Sequence, residues 1–254
     1  MLMSNLLLNF LTSLLIVSGA PAMPEPNIDT NGEVLRGSAE EKLEYMYNHC
    51  KTYDDVRRLA RGFEQLANSY DAAGRSVNAE LAYILAIRFL ESAFTSSDPD
   101  IGLAYEQLAG HYASLGEHAL ARKANAKAIS NLRHNRANYP VELAVALHNE
   151  AWLDMQEHRY ERAEKYLRES LAITREKLGP SHLLVGMLDN SLGDLYIERN
   201  DYVRAEPFLK EALEIVRKNP GNEKLQQVIK ENYISVLKVN HKYSAAKKLQ
   251  ETPH

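Results

Sequence analysis

The chain has 254 residues, 45% hydrophobic and 25% charged, an ordinary globular composition and too apolar for a largely disordered polypeptide. Its formal net charge of −4 gives no reason to expect nucleic acid or an anionic membrane surface as a partner. Cys50 is the only cysteine, which excludes an intramolecular disulfide, and the nine histidines are scattered singly, so neither a metal nor a cofactor is expected.

Residues 1–22 read as a signal peptide or an N-terminal anchor. Leu6 to Val17 is predominantly apolar, and Ala20-Pro21-Ala22 puts small residues at both positions that a signal peptidase reads. Met1 to Asn5 lacks the usual lysine or arginine, and the apolar run is shorter than the roughly 20 residues that span a bilayer. The expectation is an exported protein, periplasmic or secreted; an uncleaved leader would leave it membrane-anchored. Residues 23–37 contain Pro24, Pro26, Gly32 and Gly37 with little hydrophobic periodicity, the composition of a flexible tether. A leading helix is expected over 38–54. It opens on the capping-box pattern Ser38-Ala39-Glu40-Glu41 and continues in an apolar stripe of Leu43, Met46, Tyr47 and Cys50. Cys50 is expected to act as a small apolar residue packed near the helix end.

From residue 55 the chain repeats itself. Ala79, Ala121, Ala163 and Ala205 recur at intervals of 42, and in the same register stand Ala67, Ala109, Ala151 and Gly193, then Ala86, Ala128, Ser170 and Ala212. Small residues at three fixed points per unit are what closely crossing helix pairs require. Large apolar residues keep the period too: Ile87, Ile129, Leu171 and Leu213 align, and Phe89, Ile173 and Ile215 align with Asn131 breaking the series. Gly74, Gly116, His158 and Asn200 fall between the helices of a pair, and Pro99, Pro140, Pro180 and Pro220 fall between pairs. The units are 55–98, 99–140, 141–180 and 181–220, followed by a partial unit at 221–250 in which Tyr243 and Ala246 repeat Tyr202 and Ala205 after a step of 41.

Phe63, Leu66, Ala67, Tyr70, Gly74, Ala79, Tyr83 and Ala86 resemble the tetratricopeptide repeat, as do Leu108, Ala109, Tyr112, Gly116, Ala121 and Ala128. The longer period narrows the resemblance. Tyr160 to Glu164 with Leu171 to Ile173 and Leu178 to His182, and again Tyr202 to Leu209, are similar to the 42-residue repeats of kinesin light chains and their bacterial relatives. Three positions depart from the pattern: Glu150 and Asp154 stand where leucine and tyrosine are usual, and Asn125 where a large apolar residue is usual. The resemblance implies an all-α, right-handed superhelical solenoid of helix-turn-helix repeats. It also implies that the first helix of each pair lines a concave groove, with Gln65, Gln107, His148, Asn149, Ser191, Asp194 and Asn232 on the peptide-binding face alongside Arg61, Asn68, Gly110 and Ser235. Asn149 matches the family's groove asparagine. An amide there can donate to and accept from an extended peptide backbone at once, although such residues can equally face water.

Trp152, the only tryptophan, comes one turn after Asn149, either as a groove anchor or as the filler of a gap between repeats. Ala151 already takes the crossing position, which points Trp152 to the groove, and Met155 one turn further on would extend the anchor. Arg122, Lys123, Lys127, Arg133 and Arg136 form a basic run that reads as a solvated convex helix. No Gly-rich phosphate loop, His-Glu-x-x-His pair or Gly-x-Ser-x-Gly elbow occurs, so the chain is read as a non-enzyme. A protein or peptide is the expected ligand. The other classes left open are a cell-envelope assembly adaptor held by its N-terminus and a peptide-sensing regulatory module.

Overall fold

A computed structural model describes residues 39–251, leaving the leader, the tether and Ser38 of the expected capping box outside the described residues. The described chain is all-α. A leading helix α1 (Ala39–Asn48) precedes five helix pairs: α2 (Tyr53–Ala72) with α3 (Ser76–Ala93), α4 (Pro99–Ser114) with α5 (His118–His134), α6 (Pro140–Gln156) with α7 (Tyr160–Leu178), α8 (Leu183–Glu198) with α9 (Tyr202–Arg217), and α10 (Glu223–Val239) with α11 (Tyr243–Glu251). They form two compact units divided between Asn135 and Arg136, the first holding α1–α5 and the second α6–α11.

The turn inside each pair is one device used five times. Gly74 and Gly116 have φ of +70° and +76°, and the same position carries His158, Asn200 and His241 at +57°, +58° and +60°. Glycine takes this left-handed conformation freely, and asparagine and histidine are among the side chains found there most often. The residue after it closes the helix by donating to a carbonyl five residues back: Arg75 N–H to Tyr70 O and Arg159 N–H to Asp154 O at 2.8 Å, Glu117 N–H to Tyr112 O at 2.9 Å, and Asp201 N–H to Tyr196 O and Lys242 N–H to Leu237 O at 2.8 Å. Orphan carbonyls at each first-helix end are thereby satisfied. Starts are more varied. Thr52 and Asp55 form a reciprocal capping box on α2, Asp98 caps α4, and Pro99 and Pro140 open α4 and α6, where their missing N–H is no loss.

All three sets of small residues are buried at the pair crossings, from Ala67 and Ala79 to Ala205 and Ala212. Ser170, the one polar member, donates from Oγ to the Ala144 carbonyl at 2.6 Å, so its hydroxyl is satisfied in the core. Asn131, which breaks the apolar series, has an equally specific place. Its Nδ2 donates to the carbonyls of Ser96 (2.7 Å) and Asp98 (2.9 Å), tying α5 to the loop before α4. Asn125 and Glu150 are buried, and buried Asp154 takes Arg159 Nε at 2.8 Å and Arg162 Nε at 3.4 Å. The aspartate in place of tyrosine thus anchors the start of α7 by charge rather than by packing. Cys50 is half-buried two residues beyond α1.

Candidate peptide-binding face

Each unit presents one face of its first helices, built by side chains that recur every 42 residues. In the second unit these helices are α6, α8 and α10, and side chains link them across the face. The Ser191 hydroxyl donates to the Met187 carbonyl at 3.1 Å and accepts from His148 Nε2 at 2.9 Å, joining α6 to α8. Asn232 Nδ2 donates to Asp194 Oδ1 at 3.0 Å, joining α8 to α10, while Asn190 Nδ2 donates to Asp194 Oδ2 at 2.8 Å within α8. Four of the residues expected on the face, His148, Ser191, Asp194 and Asn232, are therefore brought together in two pairs.

Electrostatics follow from this half-burial. Desolvation holds the His148 imidazole below its ordinary value, so it is neutral near pH 7. Asp194 is pushed up to about 6, chiefly by burial and further by the charge of Glu198 one turn on, against the pull of its two amide donors. Asn149 is half-buried.

Trp152 is 39% exposed, so it does not fill an internal gap. Met155 corrects the expectation of an extended anchor. It is 8% exposed and packs in the core with Ala151, Leu167, Leu195 and Tyr196. Met155 follows the crossing residue Ala151 by four positions, and helix geometry turns it inward with that alanine rather than outward with Trp152.

In the first unit the face belongs to α2 and α4. Gln107 bonds Glu64 across the two helices, and Glu64 is pushed up to about 7 by burial and by the nearby Asp100 charge, opposed by Gln107 and Arg61. Gln65 is half-buried beside it. Asn68 accepts from the Tyr83 hydroxyl at 2.7 Å, and Asp71, one turn on, accepts from the same hydroxyl at 3.2 Å and meets His111 Nδ1 at 2.8 Å. Arg122, Lys123, Lys127 and Arg133 of the basic run lie on α5, Arg136 falling beyond its end, and Lys127 Nζ sits 4.4 Å from the Tyr105 ring centroid and 2.6 Å from its hydroxyl, beside a cleft of about 490 Å³. Lys123 and Arg133 are exposed there.

Sequence reasoning named His148 and Arg61 but missed other residues at their repeat positions. Glu64, Glu106, His148 and Asn190 occupy one repeat position, and Arg61, Leu103, Val145, Met187 and Val228 another, the last step being 41. The second series is apolar after Arg61, and in the second unit Met187 is 37% and Val228 51% exposed. Reading down each repeat position, rather than along each helix, would have found them. Among the described residues no cluster of three or more histidine, cysteine or carboxylate side chains could hold a metal, and no helix is long and apolar enough to cross a membrane.

The tetratricopeptide-repeat family model matches residues 142–218, the stretch from α6 through α9. No curated protein matches the chain. Among solved structures, BtubC (BKLC) from P. vanneervenii is similar with a TM-score of 0.73 and 22% identity, over 85% of this chain and 91% of that one. The nearly identical TPR-like repeats of a putative kinesin light chain from Podosopora anserina are similar with a TM-score of 0.64 and 18% identity, over 77% of this chain and 93% of that one. Apo RapI is similar with a TM-score of 0.66 and 18% identity, over 75% of this chain and 67% of that one. Residues 142–218 match the tetratricopeptide repeat, and the described helix pairs have the fold of kinesin-light-chain-type repeats.

Proposed function

We propose that this chain is a non-enzymatic interaction scaffold that holds a peptide, or an extended segment of a partner protein, along the faces of its first helices. One observation carries the reading. In the second unit Trp152, Met187 and Val228 remain 39%, 37% and 51% exposed on three successive first helices, beside polar groups already fixed by bonds from helix to helix. Large apolar side chains held in water on a rigid support are what a partner covers with profit in free energy, and tryptophan is prominent among residues that dominate such contacts. The amides at Asn149, Asn190 and Gln65 suit the backbone of an extended segment, since each side chain both donates and accepts.

The reading is tested by selecting 12-residue random peptides on the full chain and measuring a selected peptide against Trp152→Ala. An affinity loss of about 1–3 kcal/mol, roughly 5- to 150-fold, is expected with helicity unchanged by circular dichroism. Because Trp152 is the only tryptophan, its emission should also shift on binding. Selected peptides that bind Trp152→Ala as well as the parent, with no emission change, would refute it. We further propose that residues 1–22 direct export. The mass of the mature protein from its own host, beginning after Ala22, is the check.

A further inference from the structure

We propose that Asp194 receives a lysine or arginine side chain of the bound segment, so that the second unit takes a basic and apolar peptide; this rests on the reading of the first-helix face as the binding surface. Four other carboxylates withdrawn from water in this unit bring their own cations. Asp154 lies 2.8 Å from Arg159, Asp189 3.1 Å from Arg175, Glu164 2.9 Å from Arg168, and Glu206 2.6 Å from Lys242. Asp194 differs. Its two oxygens accept only the neutral amides of Asn190 and Asn232, and no lysine or arginine reaches it among the described residues. Amides fill the lone pairs of a carboxylate without cancelling its charge, and Glu198, one turn along the same helix, adds to that charge.

The surroundings supply no substitute cation. His148, from α6, is kept neutral by burial, and α10 contributes Val228, the acidic Glu231 and Asn232 to this face, with Lys238 beyond Ser235 at the helix end. Asn190 Oδ1 is buried with no donor, a second acceptor next to the carboxylate. An ammonium or guanidinium group brings both the missing charge and N–H donors for these oxygens, a stronger pairing than neutral groups make. Trp152 stands at the same repeat position as Asp194, 42 residues earlier (194−152), on the adjoining first helix. An apolar residue of the segment would meet Trp152 while the basic residue of the next stretch meets Asp194. An acidic segment would instead face uncompensated Asp194, Glu198 and Glu231.

The test selects random 12-residue peptides on the full chain and on Asp194→Asn and Asp194→Lys, each verified as folded by circular dichroism. The parent should enrich peptides with a lysine or arginine near an apolar residue, Asp194→Asn should lose that enrichment, and Asp194→Lys should turn it toward glutamate or aspartate. A selected peptide should bind Asp194→Asn at least ten-fold more weakly than the parent. Its citrulline or norleucine counterpart, in which the cation is removed, should bind the two chains equally. Peptides that need Trp152 but carry no basic residue, or whose affinity ignores Asp194→Asn, overturn this assignment while leaving the binding face intact. If no selected peptide depends on Trp152 or Asp194, the face itself is wrong and both readings fall.

Discussion

Gly193→Ala sets two opposing effects against each other at a pair crossing. Gly193 lies inside α8, where alanine is favoured over glycine by about 1 kcal/mol because the unfolded glycine has more freedom to lose. A methyl group added there would stand 2.6 Å from Leu209 Cδ2 and 2.7 Å from Leu209 Cγ, about 1 Å inside ordinary carbon contact. Leu209 is fully buried in the core of the second unit, so its branch point cannot swing into water. Overpacking of this kind costs about 1–3 kcal/mol. The clash should therefore win, with a net loss near 1 kcal/mol read by urea unfolding. Removing the obstacle should reverse the sign: Leu209→Ala alone costs about 2–5 kcal/mol, but Gly193→Ala placed in that background should stabilise by about 1 kcal/mol. If Gly193→Ala stabilises the parent chain as much as it stabilises the Leu209→Ala chain, the two positions are uncoupled and the steric account of this glycine fails.

Glu64 makes stability depend on pH. Its folded value of about 7 lies above the ordinary 4.5, so between those values the folded chain keeps a proton that the unfolded chain has released, and stability falls as pH rises through that window. Each pH unit of displacement is worth about 1.36 kcal/mol, which makes the full decline on the order of 3 kcal/mol; Glu64→Gln should flatten it in chemical denaturation and gain stability at pH 8. Asn131→Leu would restore the apolar series yet strand the carbonyls of Ser96 and Asp98, and should lower stability by about 1–3 kcal/mol. A net gain in melting temperature would show that the two bonds contribute less than the burial of the leucine. Binding of a basic peptide should strengthen from pH 5 to pH 7 as Asp194, at about 6, ionises, and this pH dependence should vanish in Asp194→Asn.

The architecture was legible because a close helix crossing accepts few side chains, and a chain that crosses the same way every 42 residues must repeat them. Legibility failed where geometry is set by two positions at once. Met155 was assigned by counting one turn from Trp152, whereas the count that decides its direction is four from Ala151, which touches the neighbouring helix. The amides of Gln107 and Asn232 look identical in sequence to free ones. Their partners, Glu64 and Asp194, lie 43 and 38 residues away (107−64 and 232−194), and nothing local distinguishes a bonded amide from a waiting one. Departures from the pattern proved informative in the same pairwise manner. Asn131 replaces an apolar residue opposite Gly102, where a methyl group would come within 2.5 Å of its Oδ1, and Gly193 replaces alanine opposite Leu209. Each substitution is intelligible only with its counterpart, 29 and 16 positions along (131−102 and 209−193). Asp194 stands in the position of Trp152, and unlike the paired carboxylates around it this residue has no counterpart of opposite charge among the described residues. In a chain that answers its own irregularities, the unanswered one is the place where recognition of a partner is expected.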